Sequence, residues 1–260
     1  MPVALQVGLC VVIGIGTGVL SATFGVGGAV VSTPGIRSLG ATPVEGIGST
    51  LPSVLPSAIA GTLRYHHEGF VRWGVVRVVA PWGCAASVAG ALATVRFPGE
   101  GHVQMIITAL LVIYTALTTS RSPKASDLDA ESHTPLATWW RSALIGAGAG
   151  ALSGFLGVGG GILMTPTFRR WLKLPLKDTV ATSLACVGII AIPSSITHVT
   201  QGTVNWVYAL PLCLGVIPGA RLGAKFAIQA SDRTLRLIIG WGLGIIGFAY
   251  GAAEVLALVS

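Results

Sequence analysis

Gly18-Val19-Leu20-Ser21-Ala22-Thr23-Phe24-Gly25-Val26-Gly27-Gly28-Ala29 returns 132 positions later as Gly150-Ala151-Leu152-Ser153-Gly154-Phe155-Leu156-Gly157-Val158-Gly159-Gly160-Gly161. Each copy is followed by a proline (Pro34, Pro166) and then by arginine (Arg37; Arg169 and Arg170). The offset is about half of the 260 residues, so the chain reads as an internal duplication built around a glycine-rich break. One glycine costs a helix about 1 kcal/mol relative to alanine. A cluster of them inside an apolar run, in both halves, marks a break the fold requires. Glycine-interrupted segments at matching positions of two transporter repeats point to a substrate site.

The surrounding sequence places that break in a membrane. The chain is 52% hydrophobic and 10% charged, with a mean hydropathy of +0.79, where soluble domains carry about 25% charge. A bilayer core takes about 20 residues per helix. Apolar runs near that length fall at Val3–Phe24, Val44–Leu63, Trp73–Val95 and Val103–Leu117. A second set falls at Ala143–Leu156, Val180–Ile196, Val207–Ile228 and Leu235–Leu258. The expectation is an all-α polytopic membrane protein of about eight transmembrane helices, in two four-helix repeats with glycine-interrupted helices. Residues 1–119 form the first repeat, 120–141 an exposed linker, and 142–260 the second repeat. The N-terminal run has no basic stretch or clear cleavage site and reads as a retained helix, not a signal peptide.

The formal charge of +7 is better explained by basic residues flanking membrane spans than by nucleic acid, since cytoplasmic loops are enriched in Lys and Arg. With eight crossings, Arg37, Arg96, Arg169, Arg170, Lys173, Lys177, Arg233 and Arg236 share one side, the cytoplasmic one. Arg64, Arg72, Arg121, Lys124 and Arg141 face the other, with both termini and the linker. Four crossings per half make the repeats parallel. If each glycine loop instead turns back inside the membrane, the halves can be inverted, and the sequence leaves both open. Cys10, Cys84, Cys186 and Cys213 lie in apolar runs without metal-ligand spacing and read as packing residues. No metal or cofactor is expected.

The short runs after the glycines, Ala29–Ile36 and Ile162–Phe168, are too short to span and read as half-helices. A helix N-terminus presents unpaired N–H groups and favours anions, and glycine lets a ligand approach the backbone. Irregular backbone survives at membrane depth only when buried in protein or lining a cavity. Gly25, Gly27, Gly28, Gly157, Gly159, Gly160 and Gly161 are therefore candidate substrate-binding residues for a small oxyanion. Thr50, Thr182 and Ser183 are candidates to add hydroxyls. Gly14/Gly18, Gly146/Gly150, Gly219/Gly223 and Gly240/Gly244 have the GxxxG spacing of helix packing. A dinucleotide fingerprint needs a preceding strand and an acidic residue about 20 positions on; Glu45 stands near that place in one half but Lys177 in the other. No Walker Gly-Lys-Ser/Thr follows either cluster.

The two G-x-G-G-[GA] loops ending a first helix, each followed by proline, resemble the TauE/SafE family of sulfite exporters. Tyr65 to Gly69 and His198 to Gly202, each with tryptophan four residues on (Trp73, Trp206), and the Gly-rich third helices add to the likeness. The resemblance covers almost the whole chain. It implies a multi-pass transporter of the bacterial inner membrane for sulfur-containing anions such as sulfite and organosulfonates. The first copy departs from the second by Ala29 in place of Gly161.

His198 and Tyr65, opposite each other in the repeat, are candidates for proton coupling or gating, with a carbonyl-bonded interfacial role for the histidine as the alternative. Arg221 and Lys225 read as snorkelling cations, and Arg64, His66, His67 and Glu68 as an interfacial turn. The expected function is secondary transport of a small anion, sulfite or a related oxyanion or organosulfonate, by alternating access at the two loops. A passive anion channel is the alternative. An intramembrane enzyme built on Ser153 and His198 is disfavoured because Tyr65 replaces the histidine in the other half. Expected partners are the anion and the lipid bilayer, with a homo-oligomer left open and no nucleic acid. The termini are expected outside the cytoplasm.

Overall fold

The computed structural model describes residues 3–96, 102–120 and 135–259. The regular secondary structure of the described residues is all helical, in ten helices: α1 (Val3–Phe24), α2 (Ala29–Arg37), α3 (Pro43–His67), α4 (Trp73–Arg96), α5 (His102–Ser120), α6 (Pro135–Leu156), α7 (Gly161–Trp171), α8 (Leu176–Thr200), α9 (Trp206–Gln229) and α10 (Asp232–Val259). Four of them (α1, α4, α8 and α9) are long and apolar enough to cross a membrane. Residues 121–134 of the expected linker lie outside the described residues. Residues 135–141 extend α6, which begins on Pro135, a residue suited to a first helical turn where its missing N–H is not needed.

Local chemistry sets the boundaries. Thr42 caps α3 in a capping box with Glu45, followed by Pro43, and the Asn205 side chain caps α9. Helices α3 and α8 end alike: Gly69 and Gly202 are left-handed, and the N–H groups of Phe70 and Thr203 reach back to the carbonyls of Tyr65 and His198. This is the Schellman termination, and it accounts for the shared spacing from Tyr65 to Gly69 and from His198 to Gly202.

Helix directions follow from what each turn touches. The site for a methyl on Gly28 abuts Thr17 and Ser21, and that on Gly35 abuts Ile13, so α2 runs back along α1. Gly160 meets Ala149 and Gly148 meets Leu163, so α7 likewise returns along α6. Both glycine clusters are therefore re-entrant turns. Helices α1 and α9 run parallel, with Gly14 on Leu212, Gly18 on Val216 and Gly223 on Val19. Helices α4 and α6 also run parallel, with Gly146 on Val79 and Gly150 on Gly83. These GxxxG glycines do what their spacing predicts: helices pack backbone to backbone where no Cβ intervenes. Helices α3 and α8 cross antiparallel at the centre, where Gly61 meets Leu184 and Gly188 meets Ala58.

Because α2 and α7 turn back, the charges sort differently from the expectation based on eight simple crossings. Arg37 and Arg96 lie at one end of the bundle, with the start of α1 and the α8–α9 turn. Every other Lys and Arg of the described residues lies at or toward the opposite end, where α3, α5, α7 and α9 finish. The outward faces between the ends are apolar, with Leu110, Leu214, Ile245, Trp241 and Phe248 exposed. Trp73, Trp139, Trp140 and Trp171 sit exposed near the basic end and Trp206 near the other, as tryptophans do at membrane interfaces.

Candidate functional site

Gly25, Gly27 and Gly28 take φ of 70, 94 and 80°, and Gly157, Gly159 and Gly160 take 70, 82 and 72°. Three left-handed residues in four positions explain why the break uses glycine, since the left-handed helical region costs other residues about 1–2 kcal/mol each. Gly28 and Gly160 are the N-caps of α2 and α7, and neither helix has a side-chain cap. The carbonyls of Gly28 and Gly160 receive the first helical bonds, from Val31 and Ser32 and from Leu163 and Met164. No backbone acceptor serves the N–H groups of Ala29 and Val30, or of Gly161 and Ile162. These residues are buried. Unpaired N–H groups inside a protein are rare and call for a ligand or water.

The two breaks meet at the centre of the bundle. A methyl on Gly27 would lie 3.6 Å from the Gly159 Cα and 3.3 Å from the Val158 carbonyl oxygen. Each break also rests on the central helix of the other half: Gly25 on Val180 of α8, Gly157 on Ile47 of α3. The Ser183 hydroxyl donates to the Gly25 carbonyl. Thr50 Oγ1 lies 3.1 Å from the Ile47 carbonyl and 3.5 Å from that of Gly157. Thr50 and Ser183 are thus counterparts. Thr182 is the counterpart of Ser49 instead: their hydroxyls accept the backbone N–H groups of Arg72 (3.0 Å) and Asn205 (2.8 Å). Here the halves are offset by 133 positions, one more than the 132 between the glycine clusters, and Thr182 faces the α3–α4 turn.

Ala29 and Gly161 occupy the same first helical position, but their surroundings differ. A methyl on Gly161 would press on the Gly25 carbonyl and come within 2.7 Å of the Val26 Cα. The second loop needs glycine there for contact with the first; Ala29 is buried with its methyl in place.

Tyr65 and His198 are also counterparts. The Tyr65 hydroxyl donates to the Ala22 carbonyl at 2.8 Å, and His198 Nε2 lies 3.0 Å from the Gly154 carbonyl, so that it must donate there. Each residue ties the end of a central helix to the last turn before a glycine break. Its bond to Gly154 commits His198 Nε2 elsewhere than to Ser153. Ser21 Oγ, Ser153 Oγ and Thr17 Oγ1 are buried without a hydrogen-bond partner beside the breaks. The repeat of Ser21 as Ser153 inside the quoted stretch was the signal for the first two; nothing in the sequence singles out Thr17. The cysteines are free, with Cys10 and Cys186 buried, and no cluster suited to a metal occurs among the described residues.

Residues 10–250 match the family model for the sulfite exporter TauE/SafE. The chain is 26% identical to the probable membrane transporter protein YunE of Bacillus subtilis, over 92% of this chain and 95% of that one. It is 28% identical to a probable membrane transporter protein of Xylella fastidiosa, over 83% and 84%. A probable membrane transporter protein of Methanocaldococcus jannaschii is 23% identical over 92% and 93%. No solved structure matches. The re-entrant glycine breaks, the apolar girdle and the full-length family match agree: the chain belongs to the TauE/SafE sulfite exporter family, whose members are membrane transporters and not enzymes.

Proposed function

We propose that this chain is a secondary transporter of a small sulfur oxyanion, sulfite or a related oxyanion or organosulfonate, which binds between the two glycine breaks and crosses by alternating access. The observation that carries the proposal is the pair of buried half-helix N-termini, one from each half, aimed into the same centre with unpaired N–H groups. Backbone dipoles and hydroxyls bind an anion without a fixed cation, which suits a site that must also release its ligand. Gly25, Gly27, Gly28, Gly157, Gly159, Gly160 and Gly161 supply the backbone, and Thr50 and Ser183 hold the first glycine of each break. Thr182 supports the site from behind through Arg72.

The antiparallel crossing of α3 and α8, together with the matched lengths of α1 and α6, supports two inverted repeats. Each would have three full crossings, α3–α5 in one and α8–α10 in the other, and a glycine-broken hairpin, α1–α2 or α6–α7, that enters and leaves at one end, so the eight simple crossings expected from the apolar runs become six and two hairpins. The excess of Lys and Arg at one end supports a cytoplasmic basic end. Both described termini then lie outside the cytoplasm, while α5 and α6 meet the central linker inside it. This keeps the expected side for the termini and moves the linker.

His198 is the titratable member of the Tyr65–His198 pair. Its Nδ1 lies 2.9 Å from Thr203 Oγ1, which in turn lies 3.0 Å from the His198 carbonyl. A neutral ring accepts from Thr203; a protonated ring donates to it, while Thr203 donates to the carbonyl. Both states keep the bond to Gly154, so proton coupling is assigned to the second half. The test is uptake of labelled sulfite, thiosulfate and a sulfonate into proteoliposomes. Saturable flux of at least one, driven by a pH gradient or membrane potential, supports the reading. Currents far above transporter turnover would identify a channel, and no flux would refute both.

A further inference from the structure

Two links join the halves at opposite ends of the bundle, and they are built to one plan. At the basic end, the turn between α3 and α4 reaches the first turns of α8. The Arg72 N–H donates to Thr182 Oγ1, and the Arg72 guanidinium meets Asp178 Oδ2 at 2.6 Å through both Nε and a terminal nitrogen. At the other end, the turn between α8 and α9 reaches the first turns of α3. The Asn205 N–H donates to Ser49 Oγ at 2.8 Å, and its Nδ2 donates to Glu45 Oε1 at 3.2 Å. Arg72 and Asn205 are 133 positions apart, as are Glu45 and Asp178, and Ser49 and Thr182.

We infer that these are the two gates of the transporter: Arg72–Asp178–Thr182 latches the basic end and Asn205–Glu45–Ser49 the opposite end. Each opens when the central helix of one half swings from the turn of the other. The inference rests on the alternating-access reading above, in which only one end opens at a time. The placement fits that role. Both links span the halves, both lie beyond the glycine breaks, and each fastens an α3 or α8 N-terminus whose next turn carries Thr50 or Ser183 against a break. Releasing a latch therefore frees the hydroxyl that holds the opposite loop.

The latches share a plan but differ in strength. Asp178 is almost wholly buried and receives two bonds from a guanidinium, whereas Glu45 receives a neutral amide. Charge-assisted, doubled bonds are the stronger kind. Both latches are formed here, and opening the basic end is the harder step.

The test is side-specific labelling of Ser21→Cys, with Cys10, Cys84, Cys186 and Cys213 replaced by alanine, in membrane vesicles of both orientations. A membrane-impermeant maleimide is the probe. Arg72→Ala is expected to raise labelling several-fold from one face of the membrane only. Asn205→Ala should raise it from the opposite face only, and by less. Exchanging the charges, Arg72→Asp with Asp178→Arg, should restore protection and so separates gating from misfolding. Unchanged labelling in both variants, or an increase from the same face in both, would overturn the inference. The labelling needs no substrate. One-sided opening without flux of any sulfur oxyanion would sink the transport reading and leave the latches standing, whereas flux with unchanged labelling would do the reverse.

Discussion

The first glycine break carries Ala29 where the second carries Gly161, and the difference shows which half makes room for the other. The breaks share their left-handed glycines and their uncapped half-helices. They differ in what lies against them. Gly28 faces side-chain atoms of Thr17 and Ser21, while Gly160 faces the backbone of Ala149 and Gly161 the backbone of the first break. The contrast lies at the caps of the half-helices: Gly160 and Gly161 press on main-chain atoms that cannot rotate away, while the nearest atom to Gly28 is a Thr17 methyl that can. The pair of anchors shows a similar asymmetry, a non-titrating tyrosine in one half against a histidine in the other.

The largest effect is expected from Gly160→Ala. It combines a left-handed alanine, about 1–2 kcal/mol, with overlap on the Ala149 backbone, about 1–3 kcal/mol. Flux should fall to background, with a lower melting temperature in detergent. Gly28→Ala carries the same backbone strain, but its methyl meets Thr17 Cγ2 at 2.7 Å, which can turn aside. Its loss should be clearly smaller, and equal losses for the two would erase the distinction between the breaks.

Next in size is the anchor pair. Tyr65→Phe leaves the buried Ala22 carbonyl without its hydroxyl donor, a loss of about 1–3 kcal/mol, read by denaturation. His198→Tyr makes the second half like the first. It should keep flux while flattening its dependence on pH between about pH 5 and 8, the range in which histidine changes charge. An unchanged pH profile would remove His198 from coupling and leave it a tie to Gly154. The smallest effect is expected from Ala29→Gly, below about 1 kcal/mol, with transport retained. A large loss would mean that the Ala29 methyl takes part in the site.

Much of this was legible in the chain because duplication printed it twice. The apolar runs located the long helices closely except for α6, which begins on Pro135 where the run begins at Ala143, since a helix of about 20 apolar residues has few alternatives. The glycine clusters located the breaks. The direction of the chain after each break was not legible. A half-helix of nine residues, about 13 Å long, can continue across a membrane or fold back, and only the meetings of Gly35 with Ile13 and Gly148 with Leu163 decide it. The direction of the repeats and the sorting of charge both hang on that turn. The repeat partner of Thr182 was not legible for a related reason, because the register slips by one residue between Gly161 and α8. The Arg72–Asp178 pair escaped notice because its members are 106 positions apart and neither is unusual by itself at a membrane edge.

The central claim is that the paired breaks hold an anion by backbone donors. Its most direct test is a crystal structure with selenite, a heavier analogue of sulfite with an anomalous signal. The account predicts one selenium peak between Gly27/Gly28 and Gly159/Gly160, with oxygens about 3 Å from unpaired N–H groups of Ala29, Val30, Gly161 or Ile162, and no peak in Gly160→Ala. A peak elsewhere, beside Arg221 and Lys225 for example, or a peak that persists in Gly160→Ala, would contradict it.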